Sequence, residues 1–279
     1  MSDATRRSAI AERAARAGGV AARERFRGDF AVETKAHRND LVTDADREAQ
    51  EQVLSTLSAE FPADTYVCEE EVTSIPGVAG VETAETVPES GDAWVVDPVD
   101  GTANFARGIR FWATVVTATV DGRPVGTATY LPSEGDIYTA GPESVSCNGK
   151  SMAVSDRSDP GTFAAALIGR WPRSGGRETT DLSRAAARRF GDVRRLGSMQ
   201  STLALVAAGR LDAAFTPTRP HPWDTLGGVY LIRRAGGVAT DRSGDPWDLD
   251  SEALVVSNDE GHDEVLDVVC EAVDTEAAD

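Results

Sequence analysis

The chain has 279 residues, with 46 acids against 28 lysines and arginines, a formal net charge of −18 at pH 7. That charge excludes the sequence-independent attraction by which proteins grip nucleic acid or anionic membranes, and no run approaches the roughly 18 apolar residues of a membrane span. A chain of this length buries about three quarters of its unfolded surface, enough for one large domain or two intimate halves.

The first residues are rich in arginine, with Ile10, Ala14, Ala17 and Ala21 forming a weak apolar stripe. This predicts an amphipathic helix over roughly 4–26; Asp3, Glu12 and Glu24 interrupt it, unlike a targeting peptide. Ala45, Ala49, Val53 and Leu57 recur at helical spacing, predicting a helix over roughly 44–59 with Asp46 in its first turn. Strands are expected at about 64–68 and 93–97, separated by a surface loop, Val72–Asp92, rich in Gly, Pro, Thr and Glu. Strands at about 112–120 and 124–131 meet at Asp121-Gly122, a strong hairpin signal, and another follows at about 136–140. Part of the sheet is therefore antiparallel.

The second half alternates. Strands are expected near 163–168, 193–196, 211–215, 237–240 and 253–256, with helices near 178–190, 198–208 and 224–235. There is no internal repeat. Fourteen acids and one arginine lie between Asp241 and Asp279, and the tail Glu271–Asp279 is expected to be frayed and solvated.

The most informative string is Trp94-Val95-Val96-Asp97-Pro98-Val99-Asp100-Gly101-Thr102-Ala103-Asn104-Phe105. An apolar strand ends on two acids, and Pro98 stiffens the turn between them. Asp97, Asp100 and the Val99 carbonyl can converge as three hard oxygens, which suit Mg²⁺. Gly101-Thr102 then opens a helix whose free N–H groups can hold a phosphate oxygen. The plainer reading is a strand-to-helix loop with Asp97 or Asp100 as an N-cap.

Three other acidic segments accompany it: Asp40-Leu41-Val42-Thr43-Asp44-Ala45-Asp46, Cys68-Glu69-Glu70-Glu71, and Trp223-Asp224 at the start of a helix. Each also has a plain reading. Thr43 and Asp46 fit a capping-box variant, three adjacent glutamates fit a solvated turn, and Asp224 fits an N-cap.

Taken together, Asp40-Leu41-Val42-Thr43-x-x-Asp46, Glu69-Glu70, Asp97-Pro98-Val99-Asp100-Gly101-Thr102-x-Asn104-Phe105, Asn148-Gly149-Lys150 and Trp223-Asp224 resemble the inositol monophosphatase family of Mg²⁺-dependent, often lithium-sensitive phosphatases. The resemblance, of archaeal type, runs from about residue 35 to Asn258. It implies an α+β fold, a layered α/β/α/β/α sandwich of the inositol monophosphatase/fructose-1,6-bisphosphatase type. A metal-binding half (residues 1–145) would be completed by a second half (146–279). It further implies two or three Mg²⁺ per site. Glu69, Asp97 and the Val99 carbonyl would hold the first ion; Asp97, Asp100 and Asp224 would hold the second. Asp46 and Thr102, with Glu69, would orient and activate the attacking water. Gly101 and Thr102 would grip the phosphate, and Gly197-Ser198 matches a helix start near the substrate. Lys35 matches a lysine near the site.

This chemistry needs no protein nucleophile: two-metal phosphate hydrolysis works by positioning and charge neutralisation, and His37, His221 and His262 lie in no nucleophile motif. Substrates are expected to be small sugar or polyol phosphates, inositol 1-phosphate and fructose 1,6-bisphosphate foremost. Pro217 stands where the family often has a hydroxyl-reading glutamate, and Arg170, Arg173 and Arg219 are either surface charge or contacts to a second phosphate. A 3′-phosphoadenosine 5′-phosphate phosphatase and a non-catalytic metal- or phosphate-binding protein are the alternatives. Cys68, Cys147 and Cys270 are unpatterned, which fits a reducing cytoplasm without structural zinc. A homodimer is expected, with no nucleic-acid or membrane partner. Only Lys35 and Lys150 are lysines; acid excess with so little lysine reads as halophilic, since in molar salt a Debye length of about 3 Å screens the self-repulsion.

Overall fold

The computed structural model describes residues 2–28, 32–34, 41–72, 82–169 and 176–277. Lys35, His37, Asp40, Arg170, Arg173 and residues 73–81 of the expected loop lie outside them. The first half comprises α1 (Asp3–Arg25), β1 (Val32–Thr34), β2 (Leu41–Thr43), α2 (Asp44–Ser58), β3 (Thr65–Cys68), β4 (Glu82–Thr83), β5 (Asp92–Asp100), α3 (Thr102–Ala106), β6 (Ala113–Val120), β7 (Arg123–Leu131) and β8 (Asp136–Ala140). It continues through β9 (Val145–Cys147) and β10 (Lys150–Ser151) into β11 (Ala164–Leu167), α4 (Gly176–Arg189), β12 (Asp192–Arg194), α5 (Met199–Ala207), β13 (Ala213–Thr216), α6 (Pro222–Arg234), β14 (Val238–Thr240), β15 (Leu254–Ser257) and α7 (His262–Ala277).

Two sheets carry the fold: β10-β9-β8-β7-β6-β5-β3-β4 and β12-β11-β13-β15-β14. Strands alternate their side chains between faces, and here both faces are covered. Tyr66, Trp94, Val96, Val116 and Tyr130 pack with Ile10, Ala14, Val53 and Leu57 of α1 and α2. Val67, Val95, Val115 and Tyr138 point the other way, into a core shared with Leu203 and Val206 of α5 and Leu226, Val229 and Ile232 of α6. That core also takes Ala166, Ala214 and Val256 from the second sheet. The opposite face of the second sheet, with Ala165, Phe215 and Val255, packs on Leu182 and Ala186 of α4 and Val265 and Val269 of α7. The result is the expected five-layer α/β/α/β/α sandwich. Its central helices, α5 and α6, share one core with both sheets.

The hairpin at Asp121-Gly122 forms as expected. Val120 pairs with Arg123, and both turn residues take positive φ, 48° and 71°, the backbone a type I′ turn requires. Three expectations need correction. The strand ending at Asp97 runs on to Asp100, with a register shift against β6 between Asp97 and Asp100; Pro98 cannot donate to the ladder, so it sits in the irregularity. Of the expected frayed tail, residues 271–277 are helical: α7 runs to Ala277, its earlier turns laid on the second sheet by Val265, Val268 and Val269, while residues 278–279 lie outside the described residues. The buried face of α1 lies one position beside the expected stripe, using Ala11, Ala15, Gly18, Gly19 and Ala22 with Ile10 and Ala14. Within the expected loop, Glu82–Thr83 pairs with β3.

Candidate active site

Continuing the alternation of β5, Asp97 follows Val95 toward the α5/α6 layer, where Asp224 lies in the first turn of α6. Asp97, Asp100 and Asp224 each bring a carboxylate oxygen within 4.8 Å of the others. Asp97 and Asp100 are buried, 1% and 4% exposed. Burial, and then the charges of Glu69, Asp100 and Asp224, push the Asp97 carboxyl well above the usual carboxylate range. Among the described residues, its Oδ1 is buried without a hydrogen-bond partner. A buried acceptor without a donor, amid hard oxygens of like charge, is the environment a small divalent cation relieves. Glu69 is also drawn in: it shares a side-chain hydrogen bond with Asp97, and its N–H donates to Val96 O at 3.1 Å. The expected ligands Glu69, Asp97, Asp100 and Asp224 are thus brought together.

Neither Asp100 nor Asp224 is the cap of its own helix. Gly101, with φ 94°, is the N-cap of α3, and His221 that of α6. Asp100 instead caps α5: Met199 N–H donates to its Oδ1 at 2.9 Å, Ser201 N–H to its Oδ2 at 3.0 Å, and the Ser198 hydroxyl to Oδ2. These donors offset part of the upward push that burial gives the Asp100 carboxyl.

Asp46 serves two masters. Its Oδ2 accepts Thr43 N–H at 2.8 Å and the Thr43 hydroxyl, the expected capping arrangement. Its Oδ1 accepts the Thr102 hydroxyl at 3.1 Å. The Thr102 Oγ1 also lies 3.1 Å from the Val99 carbonyl, so that one hydroxyl touches both the acid and an expected metal ligand. Asp46 is fully buried, and burial, with the charges of Glu69 and Glu70 working against the Thr43 bonds, pushes its carboxyl up to about 7.

The expected phosphate and substrate contacts are split. Gly101 backs onto Gly197-Ser198: a Cβ there would meet Ser198 Cβ at 2.9 Å and Gly197 O at 3.2 Å. Asn104 ties the same seam, its Nδ2 donating to Phe111 O and Leu196 O at 2.8 Å each. Arg219 is engaged elsewhere: its Nη2 donates to Leu249 O at 2.6 Å and Asp250 Oδ1 at 2.7 Å. Asn148-Gly149 is a turn between β9 and β10, with Asn148 Oδ1 accepting Ile137 N–H at 3.0 Å. The Cys68 thiol, pushed up to about 12 by burial, stays neutral and is no nucleophile at ordinary pH.

Sequence reasoning passed over the amides that brace the site. Gln50 Nε2 donates to Glu70 O at 2.9 Å while Glu70 N–H donates to Gln50 Oε1 at 3.1 Å, fixing the strand end beside Glu69. Gln200 does the same for α6. The signal was a glutamine on the buried face of each helix, next to Ala49 and Met199 respectively.

A layered α+β sandwich that brings three acids, two of them buried, together at the end of β5 and the start of α6 suits a metal-using phosphatase. The model described as the inositol monophosphatase family matches residues 3–275, and the chain belongs to that family; it is a phosphoric monoester hydrolase. An inositol-1-monophosphatase, ImpA, of Mycolicibacterium smegmatis is 34% identical over 251 residues, 87% of this chain and 84% of that one. A fructose-1,6-bisphosphatase/inositol-1-monophosphatase of Thermotoga maritima is 29% identical over 245 residues, 87% and 88% of the two chains. The solved structure of a Thermotoga maritima inositol monophosphatase superposes with a TM-score of 0.83 at 26% identity, covering 96% of this chain and 97% of that one. Among the described residues, no helix is long and apolar enough to cross a membrane.

Proposed function

We propose that this chain is a Mg²⁺-dependent phosphatase of small sugar or polyol phosphate monoesters, with inositol 1-phosphate and fructose 1,6-bisphosphate as its substrates. The observation that carries the reading is the convergence of the buried Asp97 and Asp100 with the half-buried Asp224, with an Asp97 Oδ1 that has no hydrogen-bond partner among the described residues, beside the Asp46–Thr102 pair. Glu69, Asp97 and the Val99 carbonyl would hold one ion, and Asp97, Asp100 and Asp224 another. Bound Mg²⁺ supplies charge neutralisation and makes water more acidic.

The remaining work falls to the chain's own groups. In a molecule of net charge −18 the carboxylates repel an anionic ester until a cation reverses the local field. The Thr102 hydroxyl, held by Asp46, orients the attacking water through its own oxygen and passes proton density toward the acid. Gly101 N–H and Thr102 N–H, at the start of α3, would hold the phosphate. Since the Thermotoga maritima relative carries both activities in its name, both substrates belong in one assay. The Leu249–Asp250 engagement of Arg219 leaves the second phosphate without support from that residue.

The test is phosphate release from myo-inositol 1-phosphate, fructose 1,6-bisphosphate and 3′-phosphoadenosine 5′-phosphate, with Mg²⁺ and with a chelator. Release from the first two in Mg²⁺ alone, lost in Asp97→Asn, is the expected result. Full activity in chelator, or an unimpaired Asp97→Asn enzyme, overturns the reading; preference for the nucleotide overturns the substrate class.

A further inference from the structure

The first turn of α5 holds one of the three clustered acids and braces the helical turn that carries another. On its backbone side, Met199 N–H and Ser201 N–H bind the Asp100 carboxylate at 2.9 and 3.0 Å. Between them in sequence, Gln200 reaches the opposite way. Its Nε2 donates to Trp223 O at 2.6 Å, and its Oε1 accepts Gly228 N–H at 2.7 Å. Trp223 immediately precedes Asp224, and Gly228 follows it by one helical turn. A single carboxamide therefore spans the turn of α6 that presents Asp224.

The packing leaves this bridge little freedom. Gln200 is 1% exposed, so both ends of its amide must be satisfied inside the protein. A Cβ on Gly228 would meet Leu203 Cβ at 2.5 Å and Gln200 Oε1 at 2.8 Å; the missing side chain is what lets α6 come close enough for the bond. Gly227, one residue before, abuts the Thr117 and Thr127 hydroxyls of the first sheet. The start of α6 is thus gripped from two sides.

We infer that Gln200 is a positioning residue for the metal centre: residues 199–201 form a bracket that sets the separation of Asp100 from Asp224. The inference rests on the metal reading given above. Groups behind metal ligands fix ligand orientation, and their loss typically lowers metal affinity about 10–100-fold. Replacing Gln200 removes no ligand and no charge, so a change in affinity reports geometry.

The probe is Mn²⁺, titrated into the full chain and followed through the electron paramagnetic resonance of the free ion. Gln200→Met, of similar length and apolar, is expected to weaken binding about 10-fold or more. Gln200→Asn keeps an amide that no longer reaches both partners, and is expected to weaken binding likewise; it decides the matter if the Met variant does not fold. Val206→Ala loosens the same helix further along and is expected to lower the melting midpoint while leaving Mn²⁺ affinity within about twofold, since it lies away from the bridge. Asp224→Asn tests the reading beneath. If it loses Mn²⁺ while the folded Gln200 variants bind like the parent chain, the bracket is overturned and the metal centre stands. If Asp224→Asn binds Mn²⁺ unchanged, the metal reading falls and the bracket with it. Equal losses in Val206→Ala and Gln200→Met would also overturn the inference, reducing Gln200 to a packing residue.

Discussion

One hydroxyl, that of Thr102, lies within reach of both the Asp46 carboxylate and the Val99 carbonyl. If the two side chains act on one water, their losses must not multiply. Thr102→Ala and Asp46→Asn are each expected to lower turnover by about 10²–10⁴, the usual range for positioned acid–base groups, and the double variant to be little worse than either. Steady-state turnover of the three variants checks this; losses that multiply would separate the roles. The same acids give a pH signature. Burial raises the carboxyls of Asp97, Asp46 and Asp100 in the folded protein above their ordinary value. Protons therefore favour the metal-free fold: that contribution is full below about pH 4 and is lost as pH rises through the folded values, about 7 for Asp46. Mg²⁺ competes for the same oxygens. The rise in melting midpoint caused by millimolar Mg²⁺ should then grow between about pH 5 and 7.5. Taking the difference with and without metal cancels acids such as Asp136 and Glu60, whose shifts run downward. A difference flat with pH would mean these carboxyls do not meet the ion.

At the scale of elements, α6 fits closely against its neighbours. A Cβ at Gly227 would stand 2.7 Å from both Thr117 Oγ1 and Thr127 Oγ1. Alanine would gain about 1 kcal/mol of helix propensity, against about 1–3 kcal/mol for overpacking. Because two strand hydroxyls and a Val115 methyl crowd one point, the overpacking wins, and Gly227→Ala should lose up to about 2 kcal/mol net. A urea midpoint unchanged or raised would refute it. Which elements were legible follows from where their signals lie. The β6–β7 hairpin was readable because Asp121-Gly122 is a local backbone demand. The Asp97–Asp100 string was readable because strand, turn and acids are contiguous. By contrast, α7 hid beneath its acids, since charge counts drown a three-valine stripe. The capping of α5 by Asp100 and the amide bridges of Gln50 and Gln200 join segments far apart in sequence, so their partners could not be read from local pattern. The two readings of Asp46, as a cap and as a partner of Thr102, call on different carboxylate oxygens.

For the whole molecule, charge is what packing leaves unbalanced. Several arginines sit in exposed pairs, Arg6 and Arg13 with Glu60, Arg25 with Glu48, and Arg47 with Glu33. Such pairs are worth about 0–1 kcal/mol each and weaken in salt. The uncompensated −18 weakens in salt too, but there screening relieves repulsion. With acids so far in excess, relief should outweigh loss. The melting midpoint is expected to rise from dilute buffer to molar KCl; a midpoint independent of KCl would show that the excess charge is already well spread.

Asp100 reaches across 98 residues to receive Ser198, and this bears on how any loss-of-function series is interpreted. Truncating Asp100 strips the start of α5 of its acceptor as well as the centre of an oxygen. An inactive Asp100→Ala protein would be an ambiguous blank, dead by chemistry and by architecture together. Asp97, whose Oδ1 has no hydrogen-bond partner among the described residues, is the place to make an inert but intact copy for trapping an uncleaved ester.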